Sequence, residues 1–262
     1  LLTVVGAVLV NSFSIQMRFR GDTEIKAETH QGLVAALDSL VRDVRLAGAC
    51  LPTQPSFVPL AGVNNGTTDA ITVRTGAISS ATTCIVATLT SALTAGATEL
   101  PVDDVSGFKV DGWGYVVGAV PGELFHVTAV SGTSGAGNVT TDTTLAQSYP
   151  VGGGVYALEE RVYAIDATTY GQPVLTRSIN RQAAQPIAGG IESLNIRYRL
   201  NQNCPSCTVI DLPADNPTWV QVSEVILSAT SISRQNLSTG ARLRESATVT
   251  VQPRNLVALR PS

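Results

Sequence analysis

Four cysteines offer the plainest chemistry in the chain: Cys50, Cys84, Cys204 and Cys207. An even count in a chain that reads as exported points to two disulfides. Cys204-Pro205-Ser206-Cys207 is most simply a small closed loop, which leaves Cys50 to pair with Cys84. Zinc would need a second close pair, and Cys50 and Cys84 stand too far apart in sequence to look like one. A dithiol redox site would need a helix after its second cysteine, whereas "TVIDLPADNP" reads as strand and turn. Zinc and free thiols are the alternatives to two bridges.

The remaining reactive side chains are sparse. His30 and His126 are the only histidines. The first falls in a helical pattern and the second in a strand, neither beside a nucleophile motif, and Gly-x-Ser-x-Gly is absent. Asp103, Asp104 and Asp111 have the oxygens for calcium but not the spacing of a calcium loop, so they read as solvated turn carboxylates. No carboxylate pair stands out for glycosidase chemistry. Glu159-Glu160 beside Arg161 reads as a solvated strand edge. "SGTSGAGN" (131–138) lacks the Lys-Ser/Thr ending and strand-to-helix setting of a phosphate loop, and reads as a hairpin tip. Asn65, Asn138 and Asn236 each open a glycosylation sequon, a triplet that chance produces readily in a Ser/Thr-rich chain. The expectation is a protein with no catalytic, cofactor or metal site, not an enzyme.

Composition narrows the class further. The 262 residues are 44% hydrophobic but only 14% charged, with aromatics at 5%. Thr, Ser, Gly, Ala and Val fill the place of charge, which suits an extracellular β-rich protein. The net charge of −3 argues against non-specific nucleic-acid binding, and no basic stripe with interleaved aromatics suggests a specific site.

Two kinds of segment would have to position these residues. "LLTVVGAVLV" is apolar throughout, "NSFSIQM" continues it weakly, and Arg18 and Arg20 end it. As a helix, Leu1–Met17 would span about 25 Å, short of the roughly 30 Å hydrocarbon core of a bilayer. Charge follows the apolar run rather than preceding it, so a signal peptide is not the reading. Beyond Arg20, Leu33, Val34, Leu37, Leu40, Val41 and Val44 make one apolar stripe at helical period. Asp38, Arg42, Asp43 and Arg45 occupy the other faces, and Gly48 with Pro52 stops the helix. The spacing predicts one helix over residues 1–47, with Gly21 its likeliest break. After residue 53 the chain reads as short strands: 69–76, a hairpin about Pro121-Gly122, 154–168, 173–179, 194–200, 219–231 and 247–253. In "VQVSEVILSA" the valines do not keep one alternation, which predicts a bulge or two-sided burial. Residues 86–153 have the rhythm of a separate small β module.

This arrangement resembles a type IV pilin, and more narrowly the PilW-type minor pilins and pseudopilin J of type II secretion. The likeness is carried by "ALDSLVRDVRLAGACLP" (36–52), "PIAGGIESLNIRYRL" (186–200), "WVQVSEVILSATS" (219–231) and "RLRESATVTVQPRNL" (242–256). It implies an α+β type IV pilin fold, a long N-terminal helix packed on an antiparallel β-sheet body. The helix would be residues 1–48, with 1–20 entering membrane or filament core and 21–48 amphipathic. Residues 49–262 would be the β-rich body, with the inserted module at about 86–153. Pilins usually start with Phe or Met and carry a glutamate at the fifth position, whereas the first glutamate here is Glu24. The resemblance therefore implies about five further residues before Leu1 in the mature protein, enough for a helix of about 33 Å.

The function implied is a structural subunit of a type IV pilus or pilus-like extracellular filament, and more narrowly a minor, priming or tip subunit with an adhesive surface. Leu1, Leu2, Val4, Val5, Gly6, Val8, Leu9, Val10 and Phe13 would form its filament core. Close packing would run through Gly6 and Ala7. Its partners would be copies of itself or other pilins, the assembly machinery, and the inner membrane before export to the cell surface. The alternatives are a secretion pseudopilin or a membrane-anchored periplasmic β-rich binding protein.

Overall fold

Gly48 adopts φ +78° two residues past the end of a 45-residue helix, α1 (Leu2–Leu46), and turns the chain into its β-rich part. In the computed structural model the described residues are 2–52, 57–78, 84–118, 121–132, 135–201 and 208–256, with backbone alone at 2–10 and 217. The strands follow as β1 (Leu60–Val63), β2 (Ala70–Gly76), β3 (Val86–Thr88), β4 (Glu99–Val102), β5 (Trp113–Val117), β6 (Glu123–Ser131), β7 (Gly137–Thr141) and β8 (Gly154–Asp166). Then come β9 (Val174–Ile179), β10 (Gln185–Gly189), β11 (Ile191–Leu200), β12 (Val209–Ile210), a short helix α2 (Asn216–Val220), β13 (Val222–Asn236) and β14 (Arg242–Val251). The fold is α+β, an N-terminal helix packed on antiparallel sheet.

The strands form two sheets. The smaller runs β12-β11-β13-β14 and carries most of the α1 contact, together with β10. The larger is built on β8, which has two partners at each end. Its first part pairs with β3 (Ala87↔Val155) and β5 (Trp113↔Leu158), its second with β2 (Ile71↔Tyr163) and β9 (Asp166↔Val174). From β5 the sheet continues through β6 and β7 to β4. Buried Asp69 ties the two sheets, its carboxylate accepting the Ile196 N–H at 2.8 Å while its own N–H reaches the Leu194 carbonyl at 2.9 Å.

Each end of β8 serves a different core. Leu33, Leu37, Leu40 and Val44 of α1 pack with Ile71, Val73, Tyr163, Leu194, Ile196, Val225 and Leu227. Val155 and Ala157 lie instead with Leu89, Leu100, Phe125, Val127 and Val139, a mostly aliphatic core over β3–β7. A small aromatic cluster, Phe57 against Tyr115 at 4.6 Å, sits with Leu158.

Several elements differ from expectation. The helix does not break at Gly21, where a Cβ would meet nothing within 4 Å. One glycine costs about 1 kcal/mol, and the Lys, Glu and Ala that follow offset that locally. On the apolar stripe Val34 is exposed, while Ala36 and Ala47 are fully buried, because small residues let the helix approach the sheet. Trp219 lies in α2, not in a strand: Asp215 caps that turn by accepting the Thr218 N–H at 2.9 Å. The irregular valines resolve as a bulge. Arg199 opposes Glu224 but Leu200 opposes Val222, so Ser223 is the extra residue and Val222 and Val225 both face inward. Residues 154–166 form one strand, and Pro121-Gly122 lies in the β5–β6 hairpin.

Candidate functional site

The projecting half of α1 is the feature that nothing in the fold explains. Every side chain from Asn11 to Arg20 is exposed. Among them Phe13 is 65% and Phe19 74% accessible, with Ile15 and Met17 above half. More than half of each of these apolar side chains is left in water by folding, so this surface gains little by staying bare. From Leu2 to Arg20 the helix extends about 28 Å at 1.5 Å per residue. Ser14 donates its hydroxyl to the Asn11 carbonyl at 2.8 Å and Thr23 to Phe19 at 2.8 Å, so these polar groups need neither water nor a partner. Among the described residues no helix is long and apolar enough to cross a membrane. The side chains of Leu1, Leu2, Val4, Val5, Gly6, Val8, Leu9 and Val10 lie outside the described residues, and only Phe13 of the predicted core set is placed.

The body takes hold of the helix at Asp22. Its carboxylate accepts the Ser238 N–H at 2.7 Å and the Ser238 hydroxyl at 2.6 Å, from the β13–β14 turn. Those bonds to Ser238 hold its carboxyl below the usual range. His30 reaches Glu245 of β14 at 2.8 Å. Further along, Asp43 is buried, not on an outer face as its polarity suggested. It accepts the Tyr163 hydroxyl at 2.6 Å and Arg161 Nη1 at 2.9 Å. Burial, then the Asp43 carboxylate, pushes the Tyr163 phenol up. Arg161 also bridges to Glu159, and Glu160 is buried against Arg74 at 2.8 Å. Glu159-Glu160-Arg161 is thus not a solvated strand edge, because β8 has partners on both sides and its charges must pair inside.

The end of α1 is stitched to the sheet. Gly48 N–H donates to the Arg74 carbonyl at 2.9 Å and Gly76 N–H to that of Ala49 at 2.7 Å. Asn255 donates its side-chain amide to the Ala47 carbonyl at 3.1 Å, one of the orphan carbonyls of a helix end. Cys50 and Cys84 form a disulfide, 34 residues apart. Cys204 and Cys207 fall outside the described residues.

Among the described residues no group of three His, Cys, Asp or Glu side chains converges on a metal position. Asp103 accepts from the backbone and hydroxyl of Thr88, and Asp104 from the Ser106 N–H, as turn carboxylates do. His126 bonds Asp142 at 3.0 Å and meets the Trp113 edge, with Arg181 over that ring at 4.5 Å. Sequence reasoning missed the docking role of Asp22 and the burial of Asp43. A carboxylate three residues from Leu40 on the same helix was the available hint for the second.

No protein-family model and no curated protein matches the chain. Among solved structures, a type IV-like pilin from Thermus thermophilus is similar at 12% identity, over 87% of this chain and 97% of that one, with a TM-score of 0.40. A likeness that loose carries no role from that protein to this one.

Proposed function

We propose that the chain is a structural subunit of a type IV pilus or a pilus-like extracellular filament, assembled through the N-terminal half of α1. The observation that carries this reading is the bare apolar helix, with Phe13 and Phe19 exposed beyond a body that is otherwise folded around its own cores. A segment of that kind requires another apolar environment, and a bundle of like helices supplies one. In the inner membrane the helices would have little hydrophobic drive to associate, so small residues such as Gly6 and Ala7 would set their approach. Outside it, roughly 25 cal/mol per Å2 of apolar area would hold the bundle together. The partners are copies of this chain or other pilins, and the surface of the filament is the β body, with residues 86–153 as an outward module. The narrower roles, a priming or tip subunit of the PilW kind or a secretion pseudopilin, differ in copy number and location.

Electron microscopy of cells making the chain with Val4→Asp tests this. A charge in an apolar helix bundle costs several kcal/mol, while the body should fold unchanged. Loss of filaments, with the same thermal transition for the body, is the expected result. Normal filaments in the variant would reduce the helix to an anchor and overturn the proposal. Counting labelled subunits per filament separates the priming from the shaft role.

A further inference from the structure

Two adjoining clefts lie near the β13–β14 ends, the second of them against α1. The first, about 380 Å3, is lined by Tyr170, Gly171, Gln172, Arg234 and Arg242. The second, about 480 Å3, shares Gln172 and Arg234 and continues past Gln31, Gly32 and the 189–190 glycines to Glu28. Gly189 makes room for the amide that joins them, since a Cβ there would stand 2.7 Å from Gln172 Nε2. Gly190, at φ +74°, makes the turn from β10 into β11, where a Cβ would stand 2.6 Å from the Ile232 carbonyl oxygen.

The charges here are unequal in their commitments. Arg244 is held by Glu192 in a two-point bridge at 2.7 and 3.0 Å. Arg234 and Arg242 are exposed, and among the described residues neither guanidinium has a hydrogen bond or a salt bridge. Arg242 also stands close enough to the Glu192 carboxylate to help Arg244 hold its carboxyl below the usual range, but makes no hydrogen bond to it, and with Arg234 at the same mouth it leaves two guanidiniums with open donors, suited to a planar or tetrahedral oxyanion. Tyr170, 42% exposed, offers an open ring beside them. The Thr29 and Ser233 hydroxyls in the second cleft are already bonded within the protein, so its lining meets a hydroxyl-rich ligand with the Gln31 and Gln172 amides, Ser231 and the backbone at Gly189 and Gly190. Glu28 at its far end disfavours a second negative charge there.

We propose that the joined clefts bind an acidic saccharide. Its carboxylate or sulfate group lies between Arg234 and Arg242, one sugar ring lies on Tyr170, and a second, neutral ring extends past Gln172. This site stands whether or not the chain assembles into filaments.

Calorimetric titration of the full chain in detergent tests it with four probes. These are a disaccharide bearing one uronate, a disaccharide bearing one sulfate, a neutral disaccharide of the same size, and inorganic phosphate. One or both acidic disaccharides should bind at least about tenfold tighter than the neutral one and than phosphate, and the pair identifies which oxyanion is preferred. Arg234→Ala with Arg242→Ala should remove that binding by at least about tenfold, while Arg197→Ala, an exposed arginine on β11, should not. Tyr170→Ala should weaken the disaccharides and leave phosphate unchanged. These residues are exposed, and an unaltered circular dichroism spectrum would show the variants folded. The proposal is overturned by equal binding of the neutral sugar, by phosphate binding as tightly as the acidic sugars, by an unaffected double variant, or by no binding up to about 10 mM.

Discussion

The two halves of α1 share one backbone and differ in what they meet. Leu33, Leu37, Leu40 and Val44 are 5% exposed or less, against two sheets. Phe13, Ile15, Met17 and Phe19 are more than half exposed. Apolar character alone therefore does not tell where a helix is buried. The half with charge at helical spacing is the one the body covers, because a one-sided face matches a sheet. The other half meets no apolar face among the described residues.

Substitutions can break this contrast or sharpen it. Leu40→Ala should destabilise the body by about 2–5 kcal/mol in urea unfolding, since Leu40 is fully buried among sheet side chains, whereas Phe19→Ser should change the same midpoint by less than about 0.5 kcal/mol. A Phe19 effect as large as that of Leu40 would mean that the projecting half packs on the body. Replacing Cys50 and Cys84 with serine should cost about 3 kcal/mol, because the bridge closes a loop of 34-residue separation in the unfolded chain. Unfolding that is unchanged by a reductant would refute that. Asp43→Ala should cost about 2 kcal/mol, less than a fully buried pair, because Arg161 keeps Glu159. With Tyr163→Phe added, the double variant should cost well less than the sum of the two single changes, and additive costs would show that the pair does not couple.

The smallest effect is at the boundary between the halves. The Asp22 carboxyl titrates lower when folded than when unfolded, so its bonds to Ser238 stabilise docking above the unfolded value and are lost as pH falls below about 4. Amide protection in residues 21–28, taken relative to the intrinsic exchange rate at each pH, should fall there before the body unfolds. Ser238→Ala should remove much of that pH dependence. Equal protection factors at pH 6 and pH 3 would argue that Ser238 does not hold the helix.

Much of this contrast was legible from the residues. The apolar run, the stripe at Leu33 to Val44 and the Gly48 stop are local patterns, and local patterns survive into structure. The bulge at Ser223 was foreshadowed by three valines out of step. What was not legible depends on partners distant in sequence. Asp43 and Glu160 look like surface charges until β8 places Arg161 and Tyr163 under α1 and β2 places Arg74 beside Glu160. Asn255 closes a helix that ends 209 positions earlier at Leu46, which no window of sequence contains. Trp219 looked like a strand residue because its aromatic ring suits one, but the Asp215 cap decides the turn.

The stitched end of α1 also has a mechanical meaning. A pull on the projecting end along the helix axis shears the whole Leu33–Ala47 face at once instead of peeling it residue by residue. The tension then reaches the body through Gly48, Ala49 and Asn255, and a covalent crosslink lies immediately behind them at Cys50–Cys84. Force entering there is shared with β2, and through β2 with β8, whose thirteen residues run between both cores. Tension along the helix is thus divided between β13 and β14, which lie against α1, and the strand common to the two cores.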